Sequence, residues 1–217
     1  MTAHDAVKSM YSLSSSINMK GEAQEELYIL DLVISRSSNP LVATSLSDGN
    51  IQLFKLEGLQ KTDSIKRHGE VLTGIRFSHE NPQILWSSCS DGKICCWDLR
   101  QEINKPVKEL KDTSDNEVKP ISCFDVDLSD TFVCGGTELI NEDSFLLFWD
   151  VRTSQLLGGY WDSHTDDITE VRYHPYKRDV LASGSTDGLI NIFDVKETTE
   201  EDALQLTLNS NSSVVSN

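Results

Sequence analysis

The chain has 217 residues, 38% hydrophobic and 25% charged, with 19 Lys and Arg against 35 Asp and Glu for a formal net charge of −16. That composition suits a globular chain with a real core, and its negative charge disfavours direct binding to nucleic acid or anionic membrane and favours basic protein surfaces. The strongest apolar run, "LYILDLVI" at 27–34, is interrupted by Asp31 and falls well short of the roughly 18 residues of a membrane helix. The N-terminus, "MTAHDAVKSMYSLSSS", has neither a basic stretch nor an apolar one, so no signal peptide is expected, and the cytoplasm or nucleus is the expected location. In that reducing setting the five cysteines, an odd number, are expected to be thiols.

Along the chain one pattern returns: "TSLSDGNIQLFKL" at 44–56, "SSCSDGKICCWDL" at 87–99 and "SGSTDGLINIFDV" at 183–195. Asp48, Asp91 and Asp187 are separated by 43 and 96 residues, which leaves room for one further copy ending in "FLLFWDV" at 145–151. A period of about 40 to 50 residues marks a repeat architecture. Counted from each aspartate, the three clear copies align without a gap. The first predicted strand carries Ile29, Leu32 and Ile34, then Leu72, Ile75 and Phe77, then Ile168, Val171 and Tyr173, a β-branched and aromatic pattern. Val42, Leu85 and Leu181 open a second strand, and Asp-Gly makes a tight turn because Gly accepts positive φ. Ile51 and Leu53, Ile94 and Cys96, Ile190 and Ile192 then alternate along a third. A weaker apolar segment follows, seen in "PVKELK", "QLLGGYW" and "ALQLTL". Each copy reads as a four-stranded antiparallel meander.

With a histidine near the start of a unit and Trp-Asp near its end, the sequence resembles the WD-repeat β-propellers. His68, Ser87, Asp91 and Trp97 carry the full set; His164, Ser183 and Asp187 keep the same interval of 23 residues from histidine to aspartate, with Phe193 in place of the tryptophan. The first copy has Thr44, Asp48 and Phe54, with Glu25 in the histidine position. The third keeps Trp149 and Asp150 but aligns Glu138 with the turn aspartate and Cys134 with the serine, leaving five extra residues around "LINEDS".

The resemblance covers about residues 25–208 and implies an all-β fold of four four-stranded antiparallel blades plus the start of a fifth. The expected blades are 25–67, 68–115, 116–163 and 164–208, with 209–217 opening the fifth and 1–24 either the closing strand of the last blade or disordered. Propellers of this family usually have seven blades of about 40 to 45 residues. The chain therefore reads as an incomplete seven-bladed propeller, with a closed four-bladed ring as the lesser alternative.

Ser87, His68 and Asp91 are the residue types of a hydrolytic triad. The recurrence of the set in His164, Ser183 and Asp187 argues instead for a folding element. The resemblance implies a hydrogen-bond chain from the indole to the serine, the histidine and the turn aspartate. Cys89, Cys95 and Cys96 lack C-x-x-C spacing, and Cys95 and Cys96 point to opposite faces of one strand, so they read as packing residues rather than zinc ligands. Asp166 and Asp167, close to His164, read as a solvated loop pair. No Gly-rich phosphate loop is present, and no catalytic, cofactor or metal site is expected. An enzyme on the central face would need groups outside the repeat pattern, of which His79 and His174 are the candidates.

The expected function is a non-enzymatic protein-interaction scaffold with basic protein partners. The alternative is a substrate adaptor or assembly factor in a larger complex, a ubiquitin ligase or a ribosome-assembly particle. For that role Arg100 and Arg152, each two residues after a WD aspartate, resemble the docking arginines of some family members.

Overall fold

Each predicted meander forms its own antiparallel sheet, with the strands in chain order. The computed structural model describes residues 16, 27–66, 71–114 and 117–215. His68, Glu25 and all of 1–24 except residue 16 lie outside the described residues. The first sheet holds β1 (Ile29–Ile34), β2 (Leu41–Leu46), β3 (Ile51–Lys55) and β4 (Gln60–Ile65). The second holds β5 (Leu72–Phe77), β6 (Ile84–Cys89), β7 (Lys93–Asp98) and β8 (Lys108–Lys111). The third holds β9 (Ile121–Val126), β10 (Phe132–Thr137), β11 (Leu146–Asp150) and β12 (Gln155–Tyr160). The fourth holds β13 (Ile168–Tyr173), β14 (Val180–Ser185), β15 (Leu189–Asp194) and β16 (Leu204–Asn209), with a one-turn helix α1 (Glu200–Ala203) before its last strand.

The three Asp-Gly turns share one geometry. Gly49, Gly92 and Gly188 have φ of 77°, 82° and 83°, a region that side chains rarely adopt. Their N–H groups close the turns on Leu46, Cys89 and Ser185. In each, the preceding aspartate accepts the N–H two residues on, at Asn50, Lys93 and Leu189, so the side chain holds the turn that the glycine permits.

The core lies between sheets rather than within them. Ile75, Phe77 and Trp97 pack with Ala43, Ile51 and Leu53 between the first and second sheets. Trp86, Ile94 and Cys96 pack with Phe124 and Trp149 between the second and third. Cys134, Leu146 and Tyr160 pack with Val171, Tyr173 and Phe193 between the third and fourth. Ile29, Leu32 and Ile34, the counterparts of these buried inner-strand residues, are each about half exposed. Among the described residues no sheet covers that face.

Sheet register corrects the alignment of the third copy. Trp149 pairs with Val133 as Trp97 pairs with Leu85, which puts Gly135, opposite Phe124, in the place of Ser87, opposite Ile75. Cys134 is therefore one residue off the serine position, and Leu139 rather than Glu138 matches Asp91. The span from Gly136 to Leu146 exceeds that from Ser88 to Ile94 by four residues, not five. The extra residues form a small hairpin closed by an Ile140–Asp143 bridge, with positive φ at Asn141 and Glu142, the backbone of a tight two-residue hairpin turn.

Beyond β16, Val214 lies against the fourth sheet. Its N–H donates to the Ser185 carbonyl, and its own carbonyl accepts from the Thr169 hydroxyl at 2.8 Å. A Cβ on Gly184 would meet Val214, just as one on Gly136 would meet Ile168. Both glycines leave room for the first inward residue of the segment that follows.

Candidate interaction surface

The serine, histidine and aspartate of the fourth sheet come together as a continuous chain. Ser183 Oγ lies 2.6 Å from His164 Nε2, and His164 Nδ1 lies 3.0 Å from Asp187 Oδ2. Burial lowers the His164 pKa below its ordinary value, more than Asp187 raises it. Burial also raises the Asp187 pKa, but N–H donors from Leu189 and Thr165 together with His164 outweigh it and hold the carboxyl below its usual range. The consistent state is a neutral imidazole that donates to an ionised carboxylate and accepts from the serine. This is triad geometry without access, because Ser183 is 2% and His164 3% exposed. A substrate would have to open the blade to reach the hydroxyl.

In the second sheet, Trp97 Nε1 donates to Ser87 Oγ at 2.8 Å, and Asp91 accepts from the backbone N–H and the ammonium of Lys93. The third sheet uses its tryptophan differently. With Gly135 in the serine position, the indole lies over the glycine, where a Cβ would meet it at 3.2 Å. Trp149 Nε1 donates instead to the Lys111 carbonyl of the preceding sheet at 3.1 Å. Phe193, fully buried, has no N–H to offer.

Further bonds couple neighbouring sheets. Asp31 accepts from the Ile75 N–H, and Asp125 from the Tyr173 N–H. The Asp130 carboxylate accepts from His79 N–H, Glu80 N–H and the Ser78 hydroxyl. Asp167, expected to be merely solvated, accepts from the Leu139 N–H of the extra hairpin at 2.7 Å.

Arg100 and Arg152 sit at the ends of β7 and β11 with their side chains 60% and 74% exposed. Arg100 grips Asp98 through Nε at 2.8 Å and Nη2 at 2.7 Å, and Arg152 reaches Asp150 at 2.8 Å through Nη2. These guanidinium hydrogen bonds hold the Asp98 carboxyl far below its ordinary pKa and lower that of Asp150 to about 2. The fork fixes each arginine's direction while leaving its outer face to solvent.

Cys95 faces the core between the first two sheets and Cys96 the core between the second and third. Burial pushes both thiols up to about 12, so they stay protonated and unreactive. No group of three or more metal-ligating side chains occurs among the described residues. His174 Nδ1 accepts from the N–H groups of Tyr176 and Lys177, tying its own loop. His79 lines an open cleft of about 500 Å³ along the inner strands.

Arg76, which sequence reasoning passed over, sits in that cleft 2.9 Å from Asp31, 3.8 Å from Asp125 and 3.9 Å from Glu170. Burial raises the pKa of both Asp125 and Glu170. Three sheets thus place carboxylates around one guanidinium, which no spacing within a single repeat could reveal.

The four meander sheets, packed face to face along their inner strands, define a β-propeller built from repeats. The comparisons place it more closely. Residues 59–98 and 156–194 match the family described as WD domain, G-beta repeat, so the chain carries WD repeats. It is 30% identical over 195 residues to an uncharacterized WD repeat-containing protein of Schizosaccharomyces pombe, covering 89% of this chain and 55% of that one. It is 26% identical to the WD repeat-containing protein 89 homolog of Dictyostelium discoideum, covering 95% and 52%, and 30% identical to human Nucleoporin Nup43, covering 70% and 38%. A chain in a crystal structure of the mitotic checkpoint complex shares the fold, with a TM-score of 0.71 at 17% identity, covering 89% of this chain and 54% of that one. The chain spans about half the length of the relatives it matches, or less.

Proposed function

We propose that the protein is a non-enzymatic interaction scaffold that presents the loops of its blades to basic protein partners. The observation that carries this reading is the burial of Ser183 and His164, bonded in a chain to Asp187, whose side chain is 6% exposed: the residues with hydrolytic chemistry are engaged with one another inside a blade. A net charge of −16 attracts cationic surfaces, with an affinity that salt weakens. The cytoplasm or nucleus is the proposed location. It fits a relative named as a nucleoporin and the finding that no described helix is long and apolar enough to cross a membrane. The test is capture of cationic proteins or peptides at rising ionic strength: binding that weakens with salt supports the proposal, and absent or salt-independent binding overturns it.

A second reading, membership of a larger assembly as an adaptor or assembly factor, is favoured by one observation. Arg100 and Arg152 are oriented by their aspartates and exposed on successive blades. If they dock a partner, Arg100→Ala with Arg152→Ala removes one specific protein from the captured set and leaves the others in place.

A further inference from the structure

The connection into β16 runs over 195–203, longer than its counterparts 56–59 and 151–154 in the first and third sheets. It carries "KETTEED" at 196–202, and Thr199 is the one hydroxyl residue of the chain followed by three acidic residues in a row. Thr199 is exposed, as are Glu197, Thr198, Glu201 and Asp202 around it. Its backbone is extended, with φ −108° and ψ 148°, the form in which a peptide lies along a groove.

Thr199 caps α1, the single turn that follows it. Its hydroxyl donates to Asp202 Oδ2 at 2.6 Å and accepts from the Asp202 N–H at 3.3 Å. The next residue, Glu200, reaches across to the chain that leaves the third blade. Its carboxylate accepts from the N–H groups of Trp161 and Asp162, at 2.8 and 3.1 Å, and from the Ser163 hydroxyl. Asn191 donates to the Ser163 carbonyl at 2.7 Å, and His164 of the buried set comes next. The turn capped by Thr199 therefore clamps the strap between the third and fourth blades. One turn is too short to sustain a helix by itself, so it opens locally and presents Thr199 and its acidic run as extended chain.

We propose that Thr199 is a phosphorylation site for an acidophilic serine/threonine kinase, whose basic groove reads Glu200, Glu201 and Asp202 by charge, and that the modification releases Glu200 from the strap. In the step, Thr199 Oγ1 attacks the γ-phosphorus of ATP and a new O–P bond forms. The bond from that phosphorus to the β,γ-bridging oxygen breaks, ADP leaves, and the hydroxyl proton passes to a carboxylate of the kinase. The product has lost the O–H that Asp202 accepts, and it carries a charge of about −1.5 to −2 beside three carboxylates. The dipole of one turn is a weak counterweight to that repulsion. The turn unwinds, and the Trp161 and Asp162 N–H groups lose their acceptor.

The experiment incubates the full chain with ATP and an acidophilic kinase, with a basophilic kinase as control, and maps the phosphate by tandem mass spectrometry. The expected result is phosphate at Thr199 with the acidophilic kinase alone. Labelling of this position should be lost in Thr199→Ala, return in Thr199→Ser, and slow tenfold or more in Glu201→Gln with Asp202→Asn, which keeps the hydroxyl and removes two charges. All of these change exposed side chains, and their thermal midpoints report whether they fold. An unmodified Thr199, equal labelling by both kinases, or a rate that ignores the neutral pair overturns the site. Amide hydrogen exchange of the phosphorylated chain tests the release: Trp161 and Asp162 should exchange tenfold or more faster than in the unmodified chain, and unchanged exchange overturns the unclamping.

Discussion

The second and third blades place a tryptophan at the same register position and use it for opposite purposes. Trp97 donates to Ser87 and stitches its own sheet, whereas Trp149, with Gly135 where the serine would be, donates to the Lys111 carbonyl and stitches two sheets together. The loss of a hydroxyl in one repeat thus turned an internal bond into a bond between neighbours. A repeat pattern fixes where a side chain stands, and the residue beside it decides what that side chain holds.

The difference can be broken by substitution. Trp149→Ala should have the largest effect, about 3–5 kcal/mol by chemical denaturation, because it empties a fully buried site and frees the Lys111 carbonyl. Gly136→Ala should cost about 1–3 kcal/mol by the same measurement, since its Cβ would come within 2.6 Å of Ile168 and force the third and fourth blades apart. Trp97→Phe should cost about 1 kcal/mol, the value of a hydrogen bond. Amide hydrogen exchange then sharpens the contrast: Trp97→Phe should speed exchange within the second sheet, and Trp149→Phe at β8 and the third sheet together. If both variants exchange alike, the distinction between an internal and a bridging tryptophan fails.

The fourth blade adds a smaller, pH-dependent effect. Burial lowers the His164 pKa, so the unfolded chain takes up the proton first. This stability is complete above the ordinary histidine pKa of about 6.5 and declines as the pH falls through that value toward the folded pKa. Denaturation midpoints should therefore drop between about pH 7.5 and pH 5.5, and His164→Asn should flatten that dependence. Smallest of all, Arg100→Ala and Arg152→Ala should change stability by less than about 0.5 kcal/mol, because both side chains are mostly in solvent.

Much of this architecture was legible in sequence because the repeats share a ruler. Asp-Gly turns and alternating residues fixed the strands of three copies. Setting Glu138 against the turn aspartate puts the third copy one residue out, because the sheet sets register through apolar partners such as Val133 and Trp149. Arg76 and its carboxylates come from first strands of different blades, a grouping with no sequence period to announce it.

The distribution of the four tryptophans gives the molecule two optical channels. Trp86, Trp97 and Trp149 are at most 2% exposed, whereas Trp161 is 55% exposed. In the folded protein a water-borne quencher should reach the emission of Trp161 alone, while a red shift of the other three should appear only when the blades separate. Changes at the surface around Trp161 and opening of the core can therefore be followed in one cuvette without a label, and Trp161→Phe silences the first channel while leaving the second intact.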